Sequence, residues 1–222
     1  MTKNTKLFAW DFHGTLEQGT EVGFAEMLRK LARENNYKTT IKLAQVRKLF
    51  GISILDYLRH FFPKLSDKEI YELRTQIRDR QNRKHIEKYI KPAPYAHEVL
   101  RKIKEAGHKN IVVSTSSKPH ILRFLDVVDV AKYLDGIFGT DRHALDKHFD
   151  IVKEKTKVIN SFAKKHKIPA KNIIVIGDRE GEIEAGILLS AKTYQYIQPE
   201  IPNIVTRAQF KIYDLREILR EI

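Results

Sequence analysis

A carboxylate followed by a turn lies near the start of the chain, where it could act as a nucleophile or a metal ligand. The apolar run that begins at Leu7 ends at Asp11, and His13, Gly14 and Thr15 follow. Such a run predicts a buried parallel strand, and His-Gly-Thr favours a sharp turn. Ligands of open α/β sheets bind beyond the carboxyl ends of the strands. Asp11 is therefore placed where chemistry would be done, although an Asp can also simply cap such a turn.

A second acidic pair follows a later predicted strand. The apolar run at 172–176 leads into Asp178, and Glu182 lies four residues on, at the start of the next predicted helix. The carboxyl ends of parallel strands meet at one edge of a sheet, so Asp11 and Asp178 can converge there. Carboxylate oxygens suit Mg²⁺, and Glu182 could face the same ion directly or through water.

Hydroxyl groups follow a third predicted strand. The run at 110–113 leads into a cluster of Ser and Thr, in which Thr115 and Ser116 offer hydroxyl and backbone N–H groups to an anion. A lysine would complete the charge balance against a bound phosphate. The three strand ends together predict a site for a metal ion and a phosphate group.

The stretch after the first strand predicts an all-helical insertion. Apolar side chains recur at spacings of three and four from residue 22 to about residue 89, and no strand pattern interrupts them. Ser66 and Glu69 have the spacing of a capping box at the start of the fourth helix. Residues 18–90 are therefore expected to form a helical cap.

Strand and helix patterns alternate after Pro92 and Pro94, whose stiff, extended backbone suits a connection between domains. This alternation predicts an α/β fold, a Rossmann-like parallel sheet with helices on both faces. Residues 1–17 and 91–222 are expected to form this core. The strands predicted after the prolines are 110–113, 136–140, 172–176, 191–197 and an edge strand at 210–212, before a terminal helix.

Three motifs, in order along the chain, resemble those of the haloacid dehalogenase (HAD) superfamily. The stretch Asp11–Leu16 resembles the first family motif, Asp-x-Asp-Gly-Thr-Leu. The strand that ends in Ser114-Thr115 is similar to the second motif. Gly177-Asp178 followed by Glu182 is similar to the fourth motif, Gly-Asp-x-x-x-Asp/Glu. The helical insertion resembles the C1-type cap of the phosphoglycolate phosphatase-like branch.

This resemblance implies a Mg²⁺-dependent hydrolase that acts on a phosphomonoester. Asp11 would attack phosphorus and form a phosphoaspartate, which water then hydrolyses. Thr115, Ser116 and a lysine would hold the phosphoryl oxygens. The residues that would hold Mg²⁺ are Asp11, His13 through its backbone carbonyl, Asp178 and, in a supporting position, Glu182.

The lysine that the resemblance implies has three candidates. It should lie near the start of the helix that precedes the last motif, where Lys153 and Lys155 fit by spacing. Lys147 fits by its distance from the preceding strand. We favour Lys155, although each of these lysines, taken singly, is more often a surface residue in so Lys-rich a chain.

His13 departs from the family pattern, which has a second Asp at this position for proton transfer. Imidazole can also transfer protons near neutral pH, so His13 is predicted to serve in catalysis. Weak activity or a structural role for His13 stays open as the alternative. A dehalogenase, which also lacks the second Asp, is disfavoured because it needs no metal and the chain keeps Asp178 and Glu182.

The composition excludes several kinds of functional site. The chain has 222 residues, a net charge of +13 and no Cys, which excludes disulfides, thiolate nucleophiles and Cys-based zinc sites. The positive charge is spread along helices, so side chains such as Arg47, Lys48 and Arg59 are interpreted as a solvated surface rather than as contacts to an anionic substrate. No membrane span or signal peptide is visible, and the cytoplasm is the expected compartment.

Two other functions stay open beside the phosphatase, whose expected partner is a small phosphorylated metabolite. A catalytically impaired HAD-fold protein that binds a partner or an anion is favoured by His13. A nucleic-acid-associated protein is favoured only by the net charge of +13, without a dense basic arm.

Overall fold

The chain folds into two compact units, of which the first contains a parallel sheet. The computed structural model describes residues 4–82, 85–140 and 150–222. The first unit contains the chain up to Glu17 together with Pro92–Pro199 and Asn203–Ile222. The second unit contains Gln18–Lys91 and Glu200–Pro202.

The strands of the described chain are short and mostly buried. In chain order they are β1 (Leu7–Trp10), β2 (Glu17–Gln18), β3 (Lys91–Pro92), β4 (Lys109–Ser114), β5 (Gly136–Gly139), β6 (Ile173–Gly177), β7 (Lys192–Tyr196) and β8 (Phe210–Ile212).

The helices of the described chain alternate with the later strands. The α-helices are α1 (Thr20–Glu34), α2 (Leu43–Lys48), α3 (Ile54–Phe61), α4 (Asp67–Asn82), α5 (Ala96–Glu105), α6 (Lys118–Val128), α7 (Ile151–Lys165) and α8 (Glu180–Leu188). Short 3-10 helices span Glu87–Tyr89, Ala131–Tyr133, Ala170–Asn172 and Leu215–Glu221.

The sheet of the first unit has six strands in the order β5-β4-β1-β6-β7-β8, and all neighbours are parallel. The first strand in sequence is central: Trp10 of β1 is paired with Val112 of β4 on one side and with Ile176 of β6 on the other. The predicted Rossmann-like α/β fold is confirmed. The carboxyl ends of β4, β1 and β6 therefore lie side by side.

One face of the sheet packs against α7. Alternate residues of the three central strands point to this face, as the two-residue period of a strand requires. Ile159, Phe162 and Ala163 of α7 cover them and form a common apolar core. The strand residues of this core are Leu7, Ala9, Ile111, Val113, Ile173 and Val175. This packing sets the position of α7 relative to the strand ends.

The second unit is helical, and its core is formed by apolar and aromatic side chains. The rings of Phe24 and Tyr57 make an edge-to-face contact with centroids 4.8 Å apart. The Tyr57 hydroxyl donates to the Val46 carbonyl at 3.0 Å, which satisfies a buried polar group. The predicted capping box is confirmed, since the Ser66 N–H donates to Glu69 Oε2 at 2.7 Å and the Glu69 N–H donates to Ser66 Oγ at 3.4 Å.

One feature of the fold differs from the sequence-based expectation. Strands β2 and β3 pair as a separate two-stranded sheet, where an unpaired extended connection was expected. Elements of two residues carry no periodic pattern, so pairing at this point depends on tertiary structure. The predicted terminal helix is present as the 3-10 helix Leu215–Glu221. Within the described residues, none of the helices has the length and apolar character that crossing a membrane requires.

Candidate active site

Asp11 lies at the carboxyl end of the central strand. It directly follows β1 and is 8% exposed, and its N–H donates to the Ile176 carbonyl at 2.8 Å, which extends the ladder with β6 by one bond. The chain then turns sharply, because the Phe12 carbonyl accepts from three successive N–H groups at 3.0–3.2 Å. Gly14 lies in this turn with φ of 81°, a conformation that favours glycine. The strand and the turn together hold the Asp11 carboxylate at the sheet edge.

Lys155 contacts two of the predicted carboxylates. Its Nζ donates to Asp11 Oδ1 at 2.7 Å and also to Glu182 Oε1, and the residue is only 1% exposed. Lys155 lies one helical turn before Ile159 and therefore on the same face of α7 as the apolar core. The helix thus continues its buried face with a cation where it reaches the strand ends.

The other candidate lysines are placed differently. Lys153 is exposed, two residues from Lys155 and so on another face of α7, and its N–H donates to the capping residue Asp150 at 3.0 Å. Lys147 lies outside the described residues. Among the candidates that the structure describes, Lys155 alone is buried with the carboxylates.

The side chain of Glu182 occupies space that is available only because the residue at the end of β6, Gly177, has no side chain. A Cβ on Gly177 would lie 2.7 Å from both Cβ and Cγ of Glu182, so a larger residue would displace that side chain. This close approach explains why Gly precedes Asp178 and why the Glu follows on the first turn of α8. Glu182 is 7% exposed, and its Oε2 has no hydrogen-bond partner among the described residues.

The negative charge of the carboxylates at the strand ends exceeds the positive charge of the side chains that contact them. Burial and the negative charge of Asp11 raise the pKa of Asp178 well above its ordinary value, against the opposing effect of Arg179, whose Nε lies 3.0 Å from Asp178 Oδ2. Burial also raises the pKa of Glu182, although Lys155 opposes the shift. Burial disfavours the charge of Lys155, but Asp11 and Glu182 outweigh it and raise the pKa of the ammonium group. A further cation would relieve the repulsion among these acids.

The donor set fits a small divalent cation. In the described part of the chain, no three His, Asp or Glu side chains are already arranged around one point as metal ligands. The predicted set does not require three, because the His13 backbone carbonyl would join the carboxylates of Asp11 and Asp178. The unpartnered Glu182 Oε2 and the buried carboxylate of Asp178 are oxygen donors of the kind that a divalent cation binds.

The hydroxyl cluster follows β4, next to the strand that ends at Asp11. Thr115 is the first residue after β4 and is partly exposed, whereas Ser114 is buried at the end of the strand. The Ser116 N–H donates to Ser114 Oγ at 3.2 Å, so this amide is already engaged within the loop. No hydrogen bond joins Thr115 to Asp11 or Lys155 in the part of the chain that the structure describes. Topology brings this cluster to the same sheet edge as the acids.

One residue that sequence reasoning did not single out is Glu17. It is 1% exposed, and its Oε1 lies 2.8 Å from Nδ1 of His13, whose side chain is 19% exposed. The only signal in the sequence is a Glu four residues after His13, directly after an apolar Leu. A spacing of four brings two side chains together in a helix or a helix-like turn, and the turn after β1 provides this geometry.

The basic residues of the helical unit that were considered as substrate contacts lie on its surface or in ion pairs. Arg47 lies 3.2 Å from Glu21, and Arg59 lies 3.3 Å from Asp67 with both side chains well exposed. Lys48 is exposed. Lys48 and Arg59 match the predicted solvated surface, whereas the Arg47 side chain is 21% exposed and pairs with the buried Glu21.

Comparison with known proteins gives a family match over most of the chain. The family model described as haloacid dehalogenase-like hydrolase matches residues 8–194. A phosphoglycolate phosphatase from Aquifex aeolicus is 30% identical over 121 residues, which cover 52% of this chain and 54% of that protein. The aligned regions span only 22% and 54% of the length of the curated relatives that the chain matches.

Solved structures share the fold at low sequence identity. A putative phosphatase from Clostridium difficile has a TM-score of 0.80 at 16% identity and covers 99% of both chains. A HAD family hydrolase from Deinococcus radiodurans, crystallised with bound phosphate and sodium, has a TM-score of 0.69 at 16% identity and covers 97% of this chain and 93% of its own. At such identities the likeness shows the fold alone.

Proposed function

Since the chain belongs to the haloacid dehalogenase-like hydrolases, we propose that it is a Mg²⁺-dependent phosphatase that acts on a small phosphorylated metabolite through Asp11. The observation that carries this proposal is the contact of one buried ammonium group, Lys155 Nζ, with Asp11 and Glu182 at the carboxyl edge of the sheet. A carboxylate nucleophile beside a buried cation is suited to attack on a phosphate, whose negative charge would otherwise repel it.

The proposed first step transfers the phosphoryl group to the protein. An Asp11 carboxylate oxygen forms a bond to phosphorus while the bond from phosphorus to the ester oxygen breaks. His13 gives a proton to the leaving oxygen, which departs as an alcohol. Lys155 and the Thr115–Ser116 segment hold the phosphoryl oxygens, and Lys155 also keeps the Asp11 carboxylate in place.

The proposed second step returns the protein to its starting state. Water attacks the phosphorus of the phosphoaspartate, His13 takes the proton of that water, and the bond between phosphorus and Asp11 breaks to release inorganic phosphate. Asp11, Asp178 and the His13 carbonyl, with Glu182 in support, would hold Mg²⁺, which would neutralise the charge of the phosphoryl oxygens. The Deinococcus protein of the same fold was crystallised with phosphate and sodium, which supports the proposal that this fold can bind a phosphate group.

The test is hydrolysis of an aryl phosphate and of a panel of phosphorylated metabolites, with Mg²⁺ and with a chelator. The wild-type protein is expected to turn over only with Mg²⁺. Asp11→Asn removes the nucleophile and should lower kcat by at least about a thousandfold. Asp126→Asn, an exposed carboxylate on α6, is the matched control and should keep wild-type activity.

The second candidate is a HAD-fold protein that binds an anion or a partner without turnover, which His13 favours. The same assay separates the two functions. Wild-type protein that stays inactive over a broad pH range, together with turnover by His13→Asp, would overturn the phosphatase proposal and support the binding protein. Wild-type turnover that Asp11→Asn abolishes would exclude the second candidate.

A further inference from the structure

Glu17 is a buried carboxylate whose side chain contacts His13. Its Oε1 lies 2.8 Å from His13 Nδ1, and its Oε2 has no hydrogen-bond partner among the described residues. The residue is 1% exposed. Burying a carboxylate with so little compensation costs more free energy than burying an apolar side chain of similar size. The contact with His13 is therefore the one interaction in the described chain that accounts for a carboxylate at this position.

The backbone around Glu17 is held from two sides. Its N–H donates to the Phe12 carbonyl at 3.2 Å, and its own carbonyl accepts from Gln198 Nε2 at 3.1 Å. These bonds fix the carboxylate relative to the turn that follows Asp11. A carboxylate on a fixed backbone can set the orientation of the group it contacts.

The His13 ring is also restrained by aromatic neighbours. Phe12 and Phe124 contact it edge to face, with ring centroids 5.1 Å and 5.5 Å away. Two rings and one carboxylate therefore limit both the position and the rotation of the imidazole. A ring held in this way presents the same nitrogen to its surroundings at every turnover.

We propose that Glu17 is a positioning residue that accepts a hydrogen bond from His13 Nδ1, so that the other ring nitrogen, Nε2, exchanges the proton with the leaving oxygen and with water. A carboxylate acceptor at Nδ1 keeps the hydrogen on that nitrogen and selects one tautomer. Glu17 thus adapts the site to the histidine that replaces the usual Asp. This inference rests on the proposed function of His13, but its structural part can be measured without turnover.

The first measurement is the tautomer of His13, read from the ¹⁵N shifts of the imidazole in the intact protein. The Nδ1–H form is expected to dominate in the wild type and in Glu17→Gln, whose amide oxygen still accepts. Glu17→Leu should give a mixture of the two forms. An unchanged tautomer in Glu17→Leu overturns the proposal, whether or not the protein is an active phosphatase.

The second measurement separates positioning from support of the fold. Glu17→Leu should lower kcat about 10- to 100-fold with KM changed less than about twofold, and Glu17→Gln should keep most of the activity. Stability in Glu17→Leu should be equal to or above wild type, because an apolar side chain replaces a buried charge. Loss of stability with kcat unchanged would assign Glu17 a structural role and overturn the proposal.

The third measurement removes the histidine. In a His13→Asp background there is no imidazole to orient, so Glu17→Leu should no longer lower kcat and should raise it by relieving repulsion between two carboxylates. Glu21→Leu is the matched control at a buried carboxylate that contacts Arg47 instead, and it should leave kcat unchanged in both backgrounds. An equal loss of kcat from Glu17→Leu in both backgrounds would contradict a role through His13. If the wild type shows no turnover, the proposed function fails and the tautomer measurement alone decides the role of Glu17.

Discussion

Two groups of paired charged side chains, one from each unit of the molecule, lie in opposite environments. At the strand ends of the first unit, Lys155, Asp11 and Glu182 are 1%, 8% and 7% exposed. In the helical unit, the Arg59 and Asp67 side chains are 50% and 82% exposed and lie 3.3 Å apart. Water and salt screen the second pair, whereas the first group interacts through a medium of low polarity.

This difference teaches that residue type and spacing do not determine what a charge can do. A buried charge that loses its partner is expensive, and its pKa shifts, so it can hold or transfer charge in a reaction. An exposed pair contributes little to stability and keeps ordinary chemistry. The basic surface of the helical unit and the buried lysine of the sheet unit thus have different roles despite similar sequence patterns.

The largest expected effect is that of Lys155→Met. At pH 7 without divalent metal it should lower the free energy of unfolding by about 3 kcal/mol, because Asp11 and Glu182 lose their common cation. Denaturant titration measures this loss, and phosphatase activity should fall in parallel. Lys153→Met, on an exposed face of the same helix, is the control and should change stability by less than about 0.5 kcal/mol.

The pH dependence sharpens this prediction. Asp178 and Glu182 have a raised pKa, so their ionised forms lower the stability of the folded protein, and this cost disappears as pH falls through their folded pKa values. The destabilisation by Lys155→Met should therefore shrink below neutral pH. A destabilisation that stays constant with pH would mean that lost packing, and not unpaired charge, is responsible.

The next largest effect is expected for a buried carboxylate away from the strand ends. Glu221 accepts from the Tyr194 hydroxyl at 2.5 Å and from Lys192 Nζ at 2.8 Å. Burial favours its neutral form, but these donors outweigh burial and lower its pKa. Glu221→Gln should lower the free energy of unfolding by about 2 kcal/mol at pH 7, and denaturant titration measures this change.

The pH dependence of the stability of Glu221→Gln tests the direction of the pKa shift of Glu221. A lowered folded pKa contributes stability above the unfolded value, and this contribution is lost as pH falls through the folded pKa. The difference in free energy of unfolding between the wild type and Glu221→Gln should therefore disappear at acidic pH. Glu105→Gln, which removes an exposed partner of Arg101, should have the same free energy of unfolding as the wild type at every pH.

A smaller effect is expected for Glu182→Gln. The variant keeps the size of the side chain and the Lys155–Asp11 contact but removes one negative charge. Affinity for Mg²⁺, measured by calorimetry, should fall about tenfold. Glu184→Gln on the same helix, where Glu184 pairs with Arg207, should bind Mg²⁺ as the wild type does. Equal affinities in the wild type and in Glu182→Gln would exclude Glu182 from the metal site.

The smallest effect is expected in the helical unit. Arg59→Ala removes an exposed ion pair and should change the free energy of unfolding by less than about 0.5 kcal/mol. Thermal unfolding measures it, and the change should diminish further in high salt. A decrease of 2 kcal/mol or more in the free energy of unfolding would contradict the expected difference between exposed and buried ion pairs.

Several elements could be predicted because their signals are local. The apolar runs that become β1, β4 and β6 are buried on both faces, so they read as continuous apolar stretches. The capping box of Ser66 and Glu69 is readable because both partners lie within one helical turn. The pairing of β2 with β3 could not be read, since partners more than 70 residues apart share no local pattern.

The candidate site shows the same division between local and long-range information. Asp11, Asp178 and Glu182 could be proposed because each follows a recognisable strand. The choice between Lys153 and Lys155 needed the helix face that packs on the sheet, which spacing alone left open. Glu17 was missed because a single Glu after Leu16 has no periodicity, and its burial beside His13 appears only in the folded turn.

The main strands of the parallel sheet, the helices between them and the acidic residues at the strand ends could be predicted from the sequence, because these features depend on periodicity and on the order of elements. Tertiary structure alone decided which lysine is buried with the acids and which carboxylate contacts the histidine. The physical reason is that burial and contact distance control both electrostatic strength and pKa, and they arise from packing between segments far apart in the chain.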